Sequence, residues 1–129
     1  MVEETMHKAR TASHHFSKLD QEQTDRIVRA AYAAGFSQRK LLAGMAFEET
    51  GIGNVHDKTI KNIIATRFVY RDIRDQKTVG IISEDRKTGI VEIAKPMGPI
   101  FAVTPITNPT STALFKILIA LKTRNPLVI

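Results

Sequence analysis

The side chains best suited to chemistry lie in one short segment. Thr104, Thr107, Asn108, Thr110, Ser111 and Thr112 surround Pro105 and Pro109. An apolar run, residues 100–104, leads in, and a helical pattern follows from Ser111. The segment therefore reads as an elbow between a strand and the first turn of a helix. In a parallel α/β sheet, ligands bind just beyond the carboxyl ends of the strands. Backbone N–H groups are unpaired there, and the helix dipole favours negative charge. The carboxamide of Asn108 can donate to a developing oxyanion, and the two prolines stiffen the turn. A plainer reading uses the same residues. Thr110 or Ser111 caps the helix, and the others are solvated turn positions. Composition alone leaves both readings open.

Several other chemistries find little support. No G-x-G-x-x-G fingerprint is present, so a dinucleotide would have to bind differently from the way it does in ordinary Rossmann dehydrogenases. The chain has no cysteine, which removes disulfides, thiolate metal sites and any cysteine nucleophile within these residues. His7, His14 and His15 lack a convergent carboxylate or cysteine set and read as surface residues, with no metal expected. His56-Asp57 could be a base with its orienter, but it fits the first turn of a helix, where Asp57 suits the dipole. Glu48 and Glu49 are adjacent and point to different sides of a helix.

The chain's 129 residues suffice for one compact domain. Hydrophobic residues make up 43% and charged residues 25%, ordinary for a soluble globular protein. No apolar run is long enough to span a bilayer, and the acidic start Met1-Val2-Glu3-Glu4 lacks a signal-peptide core. A cytoplasmic address is expected. The formal net charge of +6 permits an anionic cofactor or nucleic acid as partner. Arg67, Arg71 and Arg74 form a basic stripe that reads first as a solvated face. No helix-turn-helix, aromatic stacking platform or Gly-rich RNA loop accompanies it. A basic helical nucleic-acid-binding module is therefore only the alternative reading.

Four helices are predicted before the elbow. The first covers residues 2–16, with Val2, Met6, Ala9 and Ser13 on one side. The second is capped by Asp20 with Gln23 at the capping-box position, buries Ile27, Val28, Ala31 and Tyr32, and ends at Gly35. The third is capped by Ser37 and buries Leu41, Leu42, Met45 and Ala46 before Gly51 and Gly53 break it. The fourth runs over residues 55–73 with Ile60, Ile63, Ile64, Phe68 and Val69 inward. The period then falls to two. Residues 79–83 and 90–94 flank a polar turn and predict a β-hairpin. Residues 100–104 predict a buried strand of the parallel type, and residues 111–123 a helix with Leu114, Ile117, Leu118 and Leu121 at core spacing. Arg124-Asn125-Pro126 ends that helix, and Leu127-Val128-Ile129 begins another strand. A single strand–helix–strand unit makes a poor sheet. More chain is expected after Ile129, and marginal stability is expected of these residues alone.

The block Thr107-Asn108-Pro109-Thr110-Ser111-Thr112-Ala113, followed by Phe115-Lys116 and Leu121-Lys122-Thr123-Arg124-Asn125, resembles the CoA-acylating aldehyde dehydrogenases. It is most similar to the aldehyde dehydrogenase half of bifunctional aldehyde–alcohol dehydrogenases. Glu49-Thr50-Gly51-Ile52-Gly53, Asp57-Lys58 and Ile60-Lys61-Asn62 resemble that family's helical region. Lys77-Thr78-Val79-Gly80, Ser83-Glu84-Asp85 and Gly89 resemble its hairpin. The likeness spans nearly the whole chain in one register.

The resemblance implies an α/β fold in three parts. Residues 1–76 form N-terminal helices, 77–96 a β-hairpin, and 97–129 the first strand–helix–strand of a Rossmann-like cofactor domain, truncated. It implies that Val103, Thr104, Pro105, Ile106, Thr107 and Asn108 contact the nicotinamide end of NAD. It assigns Asn108 to the oxyanion formed when a cysteine thiolate adds to an aldehyde. Hydride would pass to NAD and the acyl group to coenzyme A, interconverting a short-chain aldehyde and its acyl-CoA. The absent cysteine departs from the family pattern and implies that these residues alone are inactive. The hairpin would build subunit contacts in a homo-oligomer, or join full-length subunits if this chain is an assembly element.

Overall fold

The computed structural model describes every residue from Met1 to Ile129. Helix α1 (Val2–Phe16) forms where the sequence predicts it, with Glu3 and Glu4 in its first turn and His14 and His15 in its last. Of the expected apolar stripe only Ala9 is buried; Val2 and Met6 face solvent and Ser13 is half-buried. The helix lies against the C-terminal strand, with Ser13 beside Gly98 and Phe16 half-buried near the end of the helix that follows the elbow, so only the later part of the stripe finds cover.

Helix α2 (Gln21–Ser37) opens on the predicted capping box. The Gln23 N–H donates to Asp20 Oδ1 at 2.8 Å, and the Asp20 N–H donates to Gln23 Oε1 at 3.0 Å. Val28 meets Ile73 and Leu118 in the core, ringed by Ala31, Tyr32, Val69, Tyr70, Ile119 and Leu121. The helix does not stop at Gly35. That glycine makes room for the helix after the elbow: a Cβ there would lie 2.6 Å from Leu114 Cδ2. Nor does Ser37 cap helix α3 (Arg39–Thr50); its hydroxyl donates back to the Ala34 carbonyl, and Gln38 occupies the cap position. Gly51 does end α3, in the left-handed conformation at φ 64°.

The predicted faces of the third and fourth helices are rotated in the structure. In α3, Ala43 and Ala46 are buried, Leu42 is half-buried, and Leu41 and Met45 face solvent. Helix α4 (Val55–Ile63) passes through a π-helical turn (Ile64–Phe68) into helix α5 (Val69–Ile73). Its buried positions are Lys58, Asn62, Ala65, Thr66 and Ile73, whereas Ile60, Ile64 and Phe68 are exposed. Ile63 and Val69 are half-buried. The alanines and Thr66 let backbones approach closely, and the wider π turn shifts the phase of everything after it.

Strands β1 (Gly80–Asp85) and β2 (Ile90–Ala94) pair antiparallel from Gly80 opposite Ala94 to Asp85 opposite Ile90, with an irregularity between Ile81 and Ser83. The Asp85 carboxylate closes the turn by accepting from the Lys87 N–H at 2.8 Å and the Thr88 hydroxyl at 2.7 Å. Those bonds hold its carboxyl below the ordinary carboxylate pKa, the Thr88 hydroxyl chief among them. Strand β3 (Ile100–Phe101) is shorter and more open than predicted, with Phe101 78% exposed and Val103 68% exposed. It runs parallel to β4 (Leu127–Val128) and has no second neighbour to cover it. Helix α6 (Pro109–Lys122) links the two strands and packs on α2, completing a mixed α/β architecture.

Candidate functional site

Helix α6 begins two residues earlier than predicted, with Pro109 in its first turn and Asn108 at the N-cap position. Neither expected cap acts as one. The Thr110 hydroxyl donates to Asn62 Oδ1 at 3.0 Å, and the Ser111 hydroxyl only reaches the Asn108 carbonyl at 3.5 Å. Asn108 makes no side-chain cap bond either. The N–H groups of Thr110 and Ser111 thus have no protein acceptor, leaving the positive end of the α6 dipole open.

The six residues that the resemblance assigns to NAD, 103–108, form one ribbon between β3 and α6. Val103, Pro105, Ile106 and Thr107 are exposed, while Thr104 and Asn108 are half-buried. The Asn108 N–H turns back onto the Pro105 carbonyl at 3.3 Å, tightening the bend. Lys116 reaches from α6 to the Val103 carbonyl at 2.6 Å.

Helix α4 holds this ribbon from behind, a feature that apolar periodicity gave no means of finding. Lys58 Nζ donates to the Thr107 carbonyl at 3.1 Å. Lys61 Nζ donates to Asn108 Oδ1 at 2.7 Å. Asn62 is fully buried, accepts from Thr110 and donates to the Arg39 carbonyl at 2.9 Å, tying α3, α4 and α6 together. Thr66 in turn donates to the Asn62 carbonyl at 2.6 Å. The only sequence signal for these contacts is the family likeness of Asp57-Lys58 and Ile60-Lys61-Asn62.

Two open grooves flank the ribbon. One of about 550 Å³ is lined by Ile64, Ala65, Val69 and Phe115 together with Asn108, Lys61 and other polar residues. The other, about 570 Å³, lies between Thr107 and the residues around Asn54, Lys58 and Ile60. Lys61 and Ile64 line both.

At the far end of α6 the chain buries two cations. Lys122 is 2% exposed and pairs with Asp25 at 2.6 Å while donating to the Arg74 carbonyl at 3.0 Å. Arg124, at φ 57°, donates to the carbonyls of Ser17 and Leu19 at 2.9 and 3.1 Å and reaches that of Ala94 at 3.5 Å. Asn125 Oδ1 accepts from the N–H groups of Met97 and Gly98, fixing the entry to β3. These residues set the elbow's framework and lie away from its open face.

The remaining candidates stay apart from the ribbon. His7, His14, His15 and His56 are exposed, and no three histidine or carboxylate side chains converge on a metal-sized site. Arg67, Arg71 and Arg74 are exposed, and Arg74 pairs with Asp75 at 3.0 Å. No helix is long and apolar enough to cross a membrane.

A sequence model of the aldehyde dehydrogenase family matches residues 1–129. The chain is 46% identical to the bifunctional aldehyde-alcohol dehydrogenase AdhE of Escherichia coli K12, over 94% of this chain and 14% of that protein. It is 48% identical to aldehyde-alcohol dehydrogenase 2 of Entamoeba histolytica, over 98% of this chain and 15% of that protein. The structure superposes on that of an acetylating aldehyde dehydrogenase from Geobacillus thermoglucosidasius with a TM-score of 0.95 and 45% identity, covering 98% of this chain and 28% of that one. The chain therefore spans less than a third of each of these relatives.

Proposed function

The chain belongs to the aldehyde dehydrogenase family, and on that premise we propose that it is the N-terminal portion of an NAD-dependent, CoA-acylating aldehyde dehydrogenase. On this reading residues 1–76 are the helical region, 77–96 a hairpin and 97–129 the start of the Rossmann-like cofactor domain. The substrates are a short-chain aldehyde and its acyl-CoA, and the setting is cytoplasmic. The names of the relatives support the acylating class: an acetylating enzyme among the structures, and an acylating sulfoacetaldehyde dehydrogenase from Cupriavidus necator at 41% identity.

The elbow suits the nicotinamide end of NAD by its own chemistry. The Thr110 and Ser111 N–H groups at the start of α6 are unpaired. Val103, Thr104, Pro105, Ile106, Thr107 and Asn108 would supply the wall. In this reaction class NAD takes up a hydride from the aldehyde carbon and coenzyme A takes the acyl group. The chain's own contribution is electrostatic. When a thiolate adds to the aldehyde, negative charge develops on the carbonyl oxygen, and the Asn108 carboxamide nitrogen is a neutral donor able to meet it. The chain holds no cysteine, so that thiolate would come from another part of the polypeptide, and these residues alone would be inactive. The groove that Ile64, Val69 and Phe115 share with Asn108 suits a short carbon chain.

One observation carries the reading: Asn108 stands at an open helix N-terminus, its amide nitrogen engaged only by a long 3.3 Å contact to the Thr107 hydroxyl. In the complete enzyme, Asn108→Leu should lower kcat/KM for the aldehyde about 10²–10³-fold while leaving NAD binding measurable. Undiminished turnover would overturn the assignment.

The same reading makes the hairpin a subunit contact in a homo-oligomer. Ile81, Ile82, Ile90, Val91 and Ile93 are all exposed on a ribbon whose outer edges are unpaired.

A further inference from the structure

We propose that Lys61 is a positioning residue that decides which end of the Asn108 carboxamide faces a reacting group. The proposal rests on the reading of Asn108 as the oxyanion donor.

The two ends of a carboxamide are nearly equal in size and opposite in function. One accepts hydrogen bonds and the other donates two. Presented the wrong way round, the Asn108 oxygen would repel an oxyanion where the nitrogen would hold it. Nothing in the elbow itself resists that rotation. Asn108 caps no helix N–H, and its one local contact is the 3.3 Å approach of its nitrogen to the Thr107 hydroxyl, a group that both donates and accepts. A lysine ammonium only donates. Its 2.7 Å contact therefore requires Oδ1 to face Lys61 and leaves the nitrogen for the open side. The charge also draws electron density toward Oδ1, making the amide hydrogens better donors.

The lysine is placed by a backbone fixed on both sides of it. One turn earlier Lys58 holds the Thr107 carbonyl, and the next residue, Asn62, is buried between Thr110 and the Arg39 carbonyl. Helix α4 thus grips the elbow at positions 107, 108 and 110. Of these three contacts, only the one from Lys61 touches the group that would act. An exposed lysine pairing of this kind adds little to stability, so its effect should appear in turnover and not in folding.

The test uses the complete enzyme with four variants: Lys61→Met, Lys61→Arg, Asn108→Leu and the double variant Lys61→Met with Asn108→Leu. Lys61→Met should lower kcat about tenfold or more, short of the loss from removing the donor itself, with KM for NAD and the melting temperature unchanged. Lys61→Arg, which also only donates, should restore most of the rate. The double variant should be no slower than Asn108→Leu alone, because a positioning residue has nothing left to position. Wild-type kcat in Lys61→Met, or fully additive losses in the double variant, would overturn the role of Lys61 while leaving Asn108 as the donor. Full turnover in Asn108→Leu would overturn both.

Discussion

The hairpin and the elbow are held together in different proportions of backbone and side-chain bonding. The hairpin β1–β2 rests mainly on its backbone ladder, with the Asp85 carboxylate at its turn and one cross-strand bond from the Ser83 hydroxyl to Glu92; none of its strand residues is buried. The elbow has only a short two-strand ladder beside it, but side chains from α4 and α6 fasten Val103, Thr107, Asn108 and Thr110. A ladder fixes a ribbon's shape and leaves its faces free to meet something else. A ribbon fixed by side chains keeps its backbone N–H groups available for a ligand. The two segments thus offer different commodities to the outside, apolar area in one case and oriented donors in the other.

The contrast can be probed by three perturbations. The largest effect is expected in the core that seats α6. Leu118 is 1% exposed and touches Val28 and Ile73. Leu118→Ala should cost about 2–5 kcal/mol, read as lost amide protection in α2 and α6, while protection in β1 and β2 stays the same. Equal loss in the hairpin would mean the two regions unfold as one unit. A smaller effect is expected from Ile93→Ser, since Ile93 is exposed. Folding stability of the monomer should change by less than about 0.5 kcal/mol, while sedimentation of the complete enzyme shifts toward smaller species. A large loss of monomer stability would show that the hairpin is part of the core.

The smallest effect is a pH response confined to the turn. The Asp85 carboxyl is held below its ordinary value by the Thr88 hydroxyl and the Lys87 N–H. A depressed carboxylate pKa contributes stability above the unfolded value, and that contribution disappears as pH falls through the folded one. Acidification below the ordinary carboxylate range should therefore loosen the turn at Lys87–Gly89, followed by amide exchange, with Asp85→Asn removing the dependence. Identical profiles in the two proteins would contradict the assignment.

Local signals in the sequence located most elements, because they act within a few residues. The Asp20–Gln23 capping box, the Gly51 stop and the strand over residues 90–94 all reappear in the structure. Helix faces were harder to read. Counting large apolar residues pointed to Leu41, Met45, Ile60, Ile64 and Phe68, all of which are exposed. The helices meet instead through Ala43, Ala46, Ala65 and Thr66, whose small size permits close contact and gives little hydropathy signal. The elbow was legible as a polar strand-to-helix turn, and Asn108 lies where that pattern put it. Its fastening was not legible, since Lys61 and Asn108 are 47 residues apart and Lys122 and Asp25 are 97 apart. Nothing in a short window links such pairs.

Arg124 gives the molecule an order of assembly. The carbonyls of Ser17 and Leu19 receive their hydrogen bonds from a guanidinium 107 and 105 residues further along. During synthesis, the junction between the first two helices leaves the ribosome long before its partner does, and must stay solvated in the interval. That junction thus completes its hydrogen bonding only once residue 124 has been made and has folded back onto it.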